Sequence, residues 1–190
     1  MILAAGSSRR LGGKIPKQLL EIEGQPMIRR IAERTLASRL SEVAVVLGHH
    51  GSAVRRALTD LDLTIVENPD YRRGQSTSLR AGVGGLSPDV LAALFIPCDM
   101  PFLSARLLDD LIEAYERTGG PIVVPVFDGQ RGSPVLFHRS LFPELLQIEG
   151  DVGGRAILPR HAEKIIEVGL DSAEPLLDID TWNDYLGVSS

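Results

Sequence analysis

Short apolar segments alternate along the chain with longer stretches in which apolar residues recur at helical spacing. The short segments are rich in β-branched residues, and several are apolar at consecutive positions rather than at alternate ones. A strand that is covered on both of its faces has this pattern. The predicted strands are residues 2–5, 43–47, 63–66, 90–96, 122–126, 134–137 and 165–168.

Three of the intervening stretches, residues 27–40, 107–115 and 141–146, place their apolar side chains on one helical face. Ser104 is a predicted N-cap of the second helix, and Gly119 is a predicted stop signal at its other end. Strands that alternate with helices predict an α/β fold. We therefore expect a Rossmann-like, mostly parallel sheet with helices on both faces.

Size and composition narrow the classes of protein. The 190 residues are the size of one domain, so we expect a single domain spanning 1–190. The 25 acidic residues outnumber the 20 basic ones, which argues against a nucleic-acid partner. The longest apolar run is far shorter than the roughly 18 residues of a membrane span, and a single cysteine forms no internal disulfide. These features predict a cytoplasmic protein with no membrane partner.

The loop after the first predicted strand is basic. Residues 1–17 contain Arg9, Arg10, Lys14 and Lys17 but no acidic residue, although the chain as a whole is acidic. Glycine and serine residues in the loop add accessible N–H groups and hydroxyl donors, and such a set suits a polyphosphate. A solvated surface loop is the alternative. The spacing matches neither a P-loop nor the G-x-G-x-x-G dinucleotide fingerprint.

Acidic residues follow a predicted strand and lie near the C-terminus. Asp99 comes after strand 90–96, where ligands bind in parallel sheets, and a carboxylate there suits the Mg²⁺ of a nucleotide. A turn or a helix cap is the alternative role for Asp99. Asp178 and Asp180 are further candidate metal ligands, because alternate side chains of an extended segment point to the same side. For Asp180 the alternative is the N-cap of a predicted helix over 181–186.

The first loop resembles the L-A-A-G-x(3)-R-x(6)-K signature of the nucleotidyltransferase superfamily, with Arg10 and Lys17 at the two basic positions. Asp99, within Asp-Met-Pro, resembles the Mg²⁺-binding aspartate of the same superfamily. The resemblance implies that Lys17, Arg10 and Asp99 are catalytic, with Arg10 and Lys17 holding the triphosphate and Asp99 holding Mg²⁺. The i, i+2 spacing adds Asp180 as a second expected Mg²⁺ ligand. The resemblance also implies a nucleotide-binding segment consisting of Leu3, Ala4, Ala5, Gly6, Ser7 and Ser8, together with Lys17.

Three further segments resemble the molybdenum cofactor cytidylyltransferases of the MobA/MocA-like family. Residues 74–82 match G-x-S-x-S-L-x-x-G, residues 132–137 match G-x-P-V-L-F, and residues 150–155 match G-D-x-G-x-R. Together with the first loop and the Asp99 segment, these three segments make five that occur in the family's order. The likeness therefore spans nearly the whole chain. It implies the fold of the nucleotide-diphospho-sugar transferases.

The same resemblance assigns two pairs of residues to the substrates. It implies that Gly74 and Ser78 contact the base and ribose of the nucleotide, and that Asp151 and Arg155 face the acceptor. Structural alternatives remain open, because Gly74 also suits a plain turn and Asp151 also suits the cap of the helix that follows it. Cys98 has no histidine partner that the sequence can place beside it, so we assign it no catalytic role.

The resemblance implies Mg²⁺-dependent transfer of CMP from CTP to the terminal phosphate of molybdopterin, with release of pyrophosphate. The Ala4-Ala5 pair favours CTP, whereas the Cys98-Asp99-Met100 segment resembles guanylyl relatives, so GTP remains an alternative. Another phosphorylated acceptor, or a nucleotide-binding module without turnover, are further alternatives. A molybdoenzyme or its chaperone is an expected partner.

Overall fold

The structure, a computed structural model, describes residues 1–6 and 15–188. Its strands are β1 (Ile2–Ala4), β2 (Glu21–Ile22), β3 (Gln25–Pro26), β4 (Ala44–Leu47), β5 (Thr64–Glu67), β6 (Ala92–Pro97), β7 (Ile122–Phe127), β8 (Gln130–Arg131), β9 (Val135–His138) and β10 (Ile165–Gly169). The α-helices are α1 (Met27–Leu36), α2 (Gly51–Arg56), α3 (Gln75–Gly84), α4 (Ala105–Thr118), α5 (Phe142–Leu145) and α6 (Trp182–Val188). Short 3₁₀ helices lie at Lys17–Leu19, Tyr71–Arg73, Arg139–Leu141, Gly154–Lys164 and Glu174–Leu176. All seven predicted strands are confirmed.

The main sheet is mixed but mostly parallel. Its strand order is β10-β7-β9-β6-β1-β4-β5, with β8 paired to β7. Strands β6, β1, β4 and β5 are mutually parallel, as are β7 and β10, whereas β9 runs antiparallel to both of its neighbours. The expected α/β architecture is confirmed. The carboxyl ends of β1, β4 and β6 consequently lie side by side at one edge.

Both faces of the sheet are covered, which explains the consecutive apolar residues in its strands. Val45 and Leu47 of β4 point into a core that also contains apolar residues of α1 and α4. Val46, between them, points into a second core together with Leu79 of α3. Alternate side chains of one strand therefore meet different helices, and the whole strand is buried.

The predicted N-cap and stop signal of α4 are confirmed, whereas α1 is shorter than the apolar stripe predicted. The Ser104 hydroxyl accepts a hydrogen bond from the Leu107 N–H at 3.1 Å, and Gly119, at φ +63°, ends the helix. Helix α1 ends before the predicted apolar stripe does, and the Ser38 hydroxyl donates to the Thr35 carbonyl at 2.6 Å just beyond it. Such a side-chain bond competes with continued helix.

The C-terminal segment crosses the edge of the sheet where β6 ends. Ile179, which is fully buried, donates its N–H to the Asp99 carbonyl at 2.9 Å. Helix α6 follows, with the Tyr185 hydroxyl donating to the Glu21 carbonyl, whereas Trp182 is 47% exposed and contacts Tyr185 from outside. Among the helices that the structure describes, each is too short or too polar to cross a bilayer.

Candidate active site

Lys17 lies at the centre of a charged cluster at the carboxyl ends of β1 and β6. Its side chain is only 11% exposed, and the Nζ atom donates to Asp99 Oδ2 at 2.9 Å and to Asp180 Oδ1 at 3.0 Å. The three residues come from distant parts of the sequence: the loop after β1, the end of β6 and the C-terminal segment. The structure thus brings together three residues that the sequence predicted separately.

The charges of this cluster do not balance. Burial alone would lower the pKa of Lys17, but the charge and hydrogen bond of Asp99 and the hydrogen bond of Asp180 outweigh burial and raise that pKa above 10.5. Lys17 therefore carries its proton at neutral pH. Among the described residues of the cluster, one ammonium faces two carboxylates, and this set suits a site that takes a further cation.

Asp178 adds a third carboxylate on the other side of the buried Ile179. Burial, together with the charges of Asp99 and Asp180, raises the pKa of the Asp178 carboxyl above its usual range. The extended segment thus flanks Asp99 with two acidic side chains, as the i, i+2 spacing predicted.

Asp180 is not the residue that caps α6. The Thr181 hydroxyl accepts from the Asp184 N–H at 3.2 Å, and the Asp184 carboxylate accepts from the Thr181 N–H at 2.7 Å. This reciprocal pair occupies the N-terminus of the helix. The alternative in which Asp180 serves as the cap is therefore overturned, and its carboxylate instead reaches Lys17.

Gln18, which the sequence analysis did not single out, orders the start of the nucleotide loop. Its side chain is buried, and Nε2 donates to the carbonyls of Ala4 and Gly6, both at 2.9 Å. One amide therefore ties the end of β1 to the segment that carries Lys17. A glutamine beside an apolar leucine pair was the only signal of this role.

Several predicted nucleotide contacts lie at the end of β1. The structure places Leu3, Ala4 and Ala5 at this edge of the sheet, and Gly6 follows them, exposed. Ser7, Ser8 and Arg10 lie outside the described residues.

Gly74 and Ser78 lie at the first turn of α3, with Ser78 inside the protein. The Ser78 hydroxyl is nearly buried and accepts from Asn68 Nδ2 at 3.1 Å, while the same amide donates to Thr77 Oγ1 at 2.9 Å. Asn68 follows β5, so it joins that strand to the helix. Ser76 Oγ, also buried, has no hydrogen-bond partner among the described residues.

The 150–155 loop packs against the N-terminus of α3. The Gly150 carbonyl accepts from the Ser76 N–H at 3.3 Å, and Asp151 Oδ1 accepts from the Gln75 N–H at 3.2 Å. Asp151 therefore caps a helix 76 residues earlier in the chain, rather than the one that follows it. Two of the segments that resemble the family are thus in direct contact.

Gly74 permits this contact, and its replacement by alanine should destabilise the protein. Gly74 has φ +110° and ψ 172°, and a Cβ on it would clash with the Gly150 carbonyl group. We expect Gly74→Ala to lower the free energy of unfolding by about 1–3 kcal/mol. Gly84→Ala is the matched control, because nothing lies within 4 Å of a Cβ there. Chemical denaturation of both variants tests this, and equal stabilities would contradict it.

A cleft of about 300 Å³ opens beside the charged cluster. Its polar lining includes Asp99, Asp178, Ser133 and Arg155. Arg155 donates from Nη2 to the Arg131 carbonyl at 3.3 Å. Of the two residues predicted to face the acceptor, Arg155 therefore shares a cleft with Asp99, whereas the Asp151 carboxylate is engaged at α3.

The donor chemistry of the cluster suits a divalent cation. The carboxylates of Asp99 and Asp180 converge on one nitrogen, and no group of three or more His, Cys, Asp or Glu side chains suited to a metal occurs within residues 1–6 and 15–188. Mg²⁺ uses one or two carboxylates together with water and substrate phosphates, so two aspartates are sufficient. These residues therefore fit the group that the family resemblance implied.

His49 and Tyr71 also lie at this edge, which the sequence did not predict. The His49 N–H donates to the Ala5 carbonyl at 3.3 Å, and its Nδ1 lies 3.3 Å from the Tyr71 hydroxyl.

Cys98 is buried, and burial raises the pKa of its thiol to about 12. A thiol that stays protonated is a poor nucleophile, in agreement with its exclusion from catalysis.

A family model described as the MobA-like NTP transferase domain matches residues 1–165. The chain belongs to this family. The aligned region contains Lys17 and Asp99, whereas Asp180 lies beyond it. The description of the family model names an NTP transferase, so the family resemblance inferred from the sequence is confirmed.

Curated relatives in this fold differ in activity. The chain is 27% identical to the molybdenum cofactor cytidylyltransferase of Escherichia coli K12, over 98% of this chain and 92% of the relative. It is also 27% identical to a molybdenum cofactor guanylyltransferase of Shewanella putrefaciens, over 97% and 92%. The nicotine blue oxidoreductase of Paenarthrobacter nicotinovorans is 28% identical, over 95% and 91%.

The bifunctional protein GlmU of Heliobacterium modesticaldum is 30% identical over 136 residues, which are 70% of this chain but 29% of GlmU. The chain therefore spans less than a third of that longer relative.

Solved structures confirm the fold. The crystal structure of Rv0371c from Mycobacterium tuberculosis H37Rv superimposes with a TM-score of 0.85 at 30% identity, over 99% of this chain and 94% of that one. A complex of Rv0371c with manganese superimposes with a TM-score of 0.80 at 25% identity, over 99% and 95%. The metal in that complex is a divalent cation.

Proposed function

We propose that the protein transfers CMP from CTP to the terminal phosphate of molybdopterin in a Mg²⁺-dependent reaction that releases pyrophosphate. The observation that carries the proposal is the convergence of Lys17, Asp99 and Asp180 at the edge of the sheet. Family membership supports nucleotidyl transfer, and the cytidylyltransferase relative supports the acceptor. We also propose that the whole of 1–190 acts as one domain, because Asp180 lies beyond the family match.

The chemistry needs positioning and charge more than proton transfer. A phosphate monoester is already anionic at neutral pH, so it attacks the α-phosphorus without a general base while the bond to pyrophosphate breaks. In this proposal Lys17 and Arg10 bind the phosphate oxygens and stabilise the charge that develops on them. Asp99 and Asp180 hold Mg²⁺, which neutralises phosphate charge when bound.

The substrates would occupy opposite sides of Asp99. On the nucleotide side, we propose that the backbone of 3–8 contacts the base and phosphates. Gly74 and Ser78 complete this side. The Ser78 hydroxyl would donate a hydrogen bond to the nucleotide, because it already accepts one from Asn68. On the acceptor side lies the cleft that Arg155 lines.

Asp151 then supports the acceptor side indirectly, through its hydrogen bond to the first turn of α3. We further propose that the reaction takes place in the cytoplasm, and that a molybdoenzyme or its chaperone receives the product.

Pyrophosphate release in the presence of molybdopterin tests the proposal and identifies the base. The purified protein is supplied with Mg²⁺ and molybdopterin, and with either CTP or GTP. Release with CTP, and its loss in Asp99→Ala, is the expected result. Release with GTP alone would keep the mechanism and replace the nucleotide. No release with either nucleotide would contradict molybdopterin as the acceptor, and other phosphorylated acceptors would then be tried.

A further inference from the structure

Two arginines line the cleft that contains Asp99. Arg131, on the short strand β8, and Arg155, on the 3₁₀ helix Gly154–Lys164, are the cationic residues among the described ones that line it. The acidic lining residues are Asp99 and Asp178. The lining of the cleft therefore combines two aspartates with two arginines.

The two arginines are held in place but keep hydrogen-bond donors to spare. Arg131 donates from Nε to Glu167 Oε1 at 2.7 Å, and Glu167 lies on β10. Arg155 donates from Nη2 to the Arg131 carbonyl at 3.3 Å. Within the part of the chain that the structure describes, the Nη atoms of Arg131 and the Nη1 and Nε atoms of Arg155 have no partner. A guanidinium has five N–H donors, so each can still bind a ligand.

An acceptor phosphate needs such donors because of the charges around it. A phosphate monoester carries up to two negative charges, and it must approach three carboxylates and a nucleotide triphosphate. Lys17 is already shared between Asp99 and Asp180. Arginine is suited to binding the acceptor phosphate, because its planar guanidinium forms paired, charge-assisted hydrogen bonds with phosphate oxygens.

We propose that Arg131 joins Arg155, which the family resemblance already assigns to the acceptor, in anchoring the acceptor's phosphate, and that Glu167 is a positioning residue that aims Arg131. This inference deepens the proposed function and rests on it. The rest of the lining is largely apolar and includes Phe127, Leu176 and Leu177. This lining suits an acceptor whose body presents a flat or apolar surface beside its phosphate.

Steady-state kinetics of arginine variants tests the anchor. We expect Arg131→Ala to raise the KM for the acceptor at least tenfold, and to leave the KM for the nucleotide within twofold. Arg131→Lys should restore part of the affinity, because it keeps the charge but loses the fork. Glu167→Gln should raise the acceptor KM less than Arg131→Ala does. Arg160→Ala, an exposed arginine paired with Glu144, is the control and should change neither constant.

Binding without turnover separates this inference from the proposed function. Calorimetry with phenyl phosphate, and with phenol as its uncharged analogue, measures the anchor alone. Weaker phenyl phosphate binding in Arg131→Ala, with melting temperature and phenol binding unchanged, supports the anchor even if no nucleotide is turned over. Turnover with an unchanged acceptor KM in Arg131→Ala would overturn the anchor and leave the proposed function intact. A raised nucleotide KM instead would also overturn it, by placing Arg131 on the nucleotide.

Discussion

Replacing Lys17 with methionine should lower kcat/KM by about 10²–10³-fold, the range seen when one preorganised charge-stabilising donor is removed. Methionine keeps most of the length of the side chain but removes the ammonium that faces Asp99 and Asp180. The charge on the phosphates would then be stabilised by fewer cations, and the two carboxylates would repel each other. The measurement is the rate of pyrophosphate release at saturating Mg²⁺.

A matched control distinguishes loss of the ammonium at this site from a general change of charge. Lys164 is exposed at the other end of the chain, so Lys164→Met should retain the wild-type rate. Thermal unfolding of both variants shows how much of any loss comes from instability, because Lys17 also joins β6 to the C-terminal segment. A stable Lys17→Met variant with a near-normal rate would contradict the proposed role of Lys17.

The convergence of Lys17 and Asp99 follows from the topology that the sequence predicted. The two residues are 82 positions apart, yet each follows a strand, and β1 and β6 are parallel neighbours. Parallel neighbours bring the loops at their carboxyl ends to one edge. Two buried strands, each followed by polar residues, were therefore enough to predict that these two loops would meet.

The sequence specified the role of Asp180, the residue that the C-terminal segment adds to the site, less well. Asp180 and Thr181 are adjacent residues of the types that cap helices, and a one-residue shift in the helix boundary decides which of them serves as the cap. The structure gives the cap to Thr181, and Asp180 reaches Lys17, 163 positions away. The sequence pattern contains both roles but does not assign them.

Partners that depend on packing between distant elements could not be predicted. Asp151 was expected to cap the following helix or to face the acceptor, and it instead accepts from the Gln75 N–H. Arg131 and Glu167 meet because β8 and β10 both pair with β7, and no local pattern encodes that pairing. Gln18 is a similar case, since its two acceptors belong to the end of β1 and the loop after it.

The other large effect is expected for Asp99→Asn, which should lower kcat by about 10³-fold and weaken Mg²⁺ or Mn²⁺ binding. Asparagine has the shape of aspartate but lacks its charge, so it would hold a divalent cation poorly and would also weaken the contact with Lys17. The backbone carbonyl that accepts from Ile179 is retained, and the fold should therefore persist. Turnover and cation binding, measured against cation concentration, check both parts.

Asp180→Asn gives a graded comparison for this prediction. Asp180 contacts the same ammonium, but its side chain is 44% exposed, compared with 26% for Asp99. Water can replace an exposed ligand more readily, so we expect a smaller loss in Asp180→Asn, with more of it recovered at high Mg²⁺. Asp62→Asn, on an exposed loop, should leave both properties unchanged. If Asp99→Asn kept normal cation binding while Asp180→Asn lost it, Asp180 and not Asp99 would be the principal metal ligand.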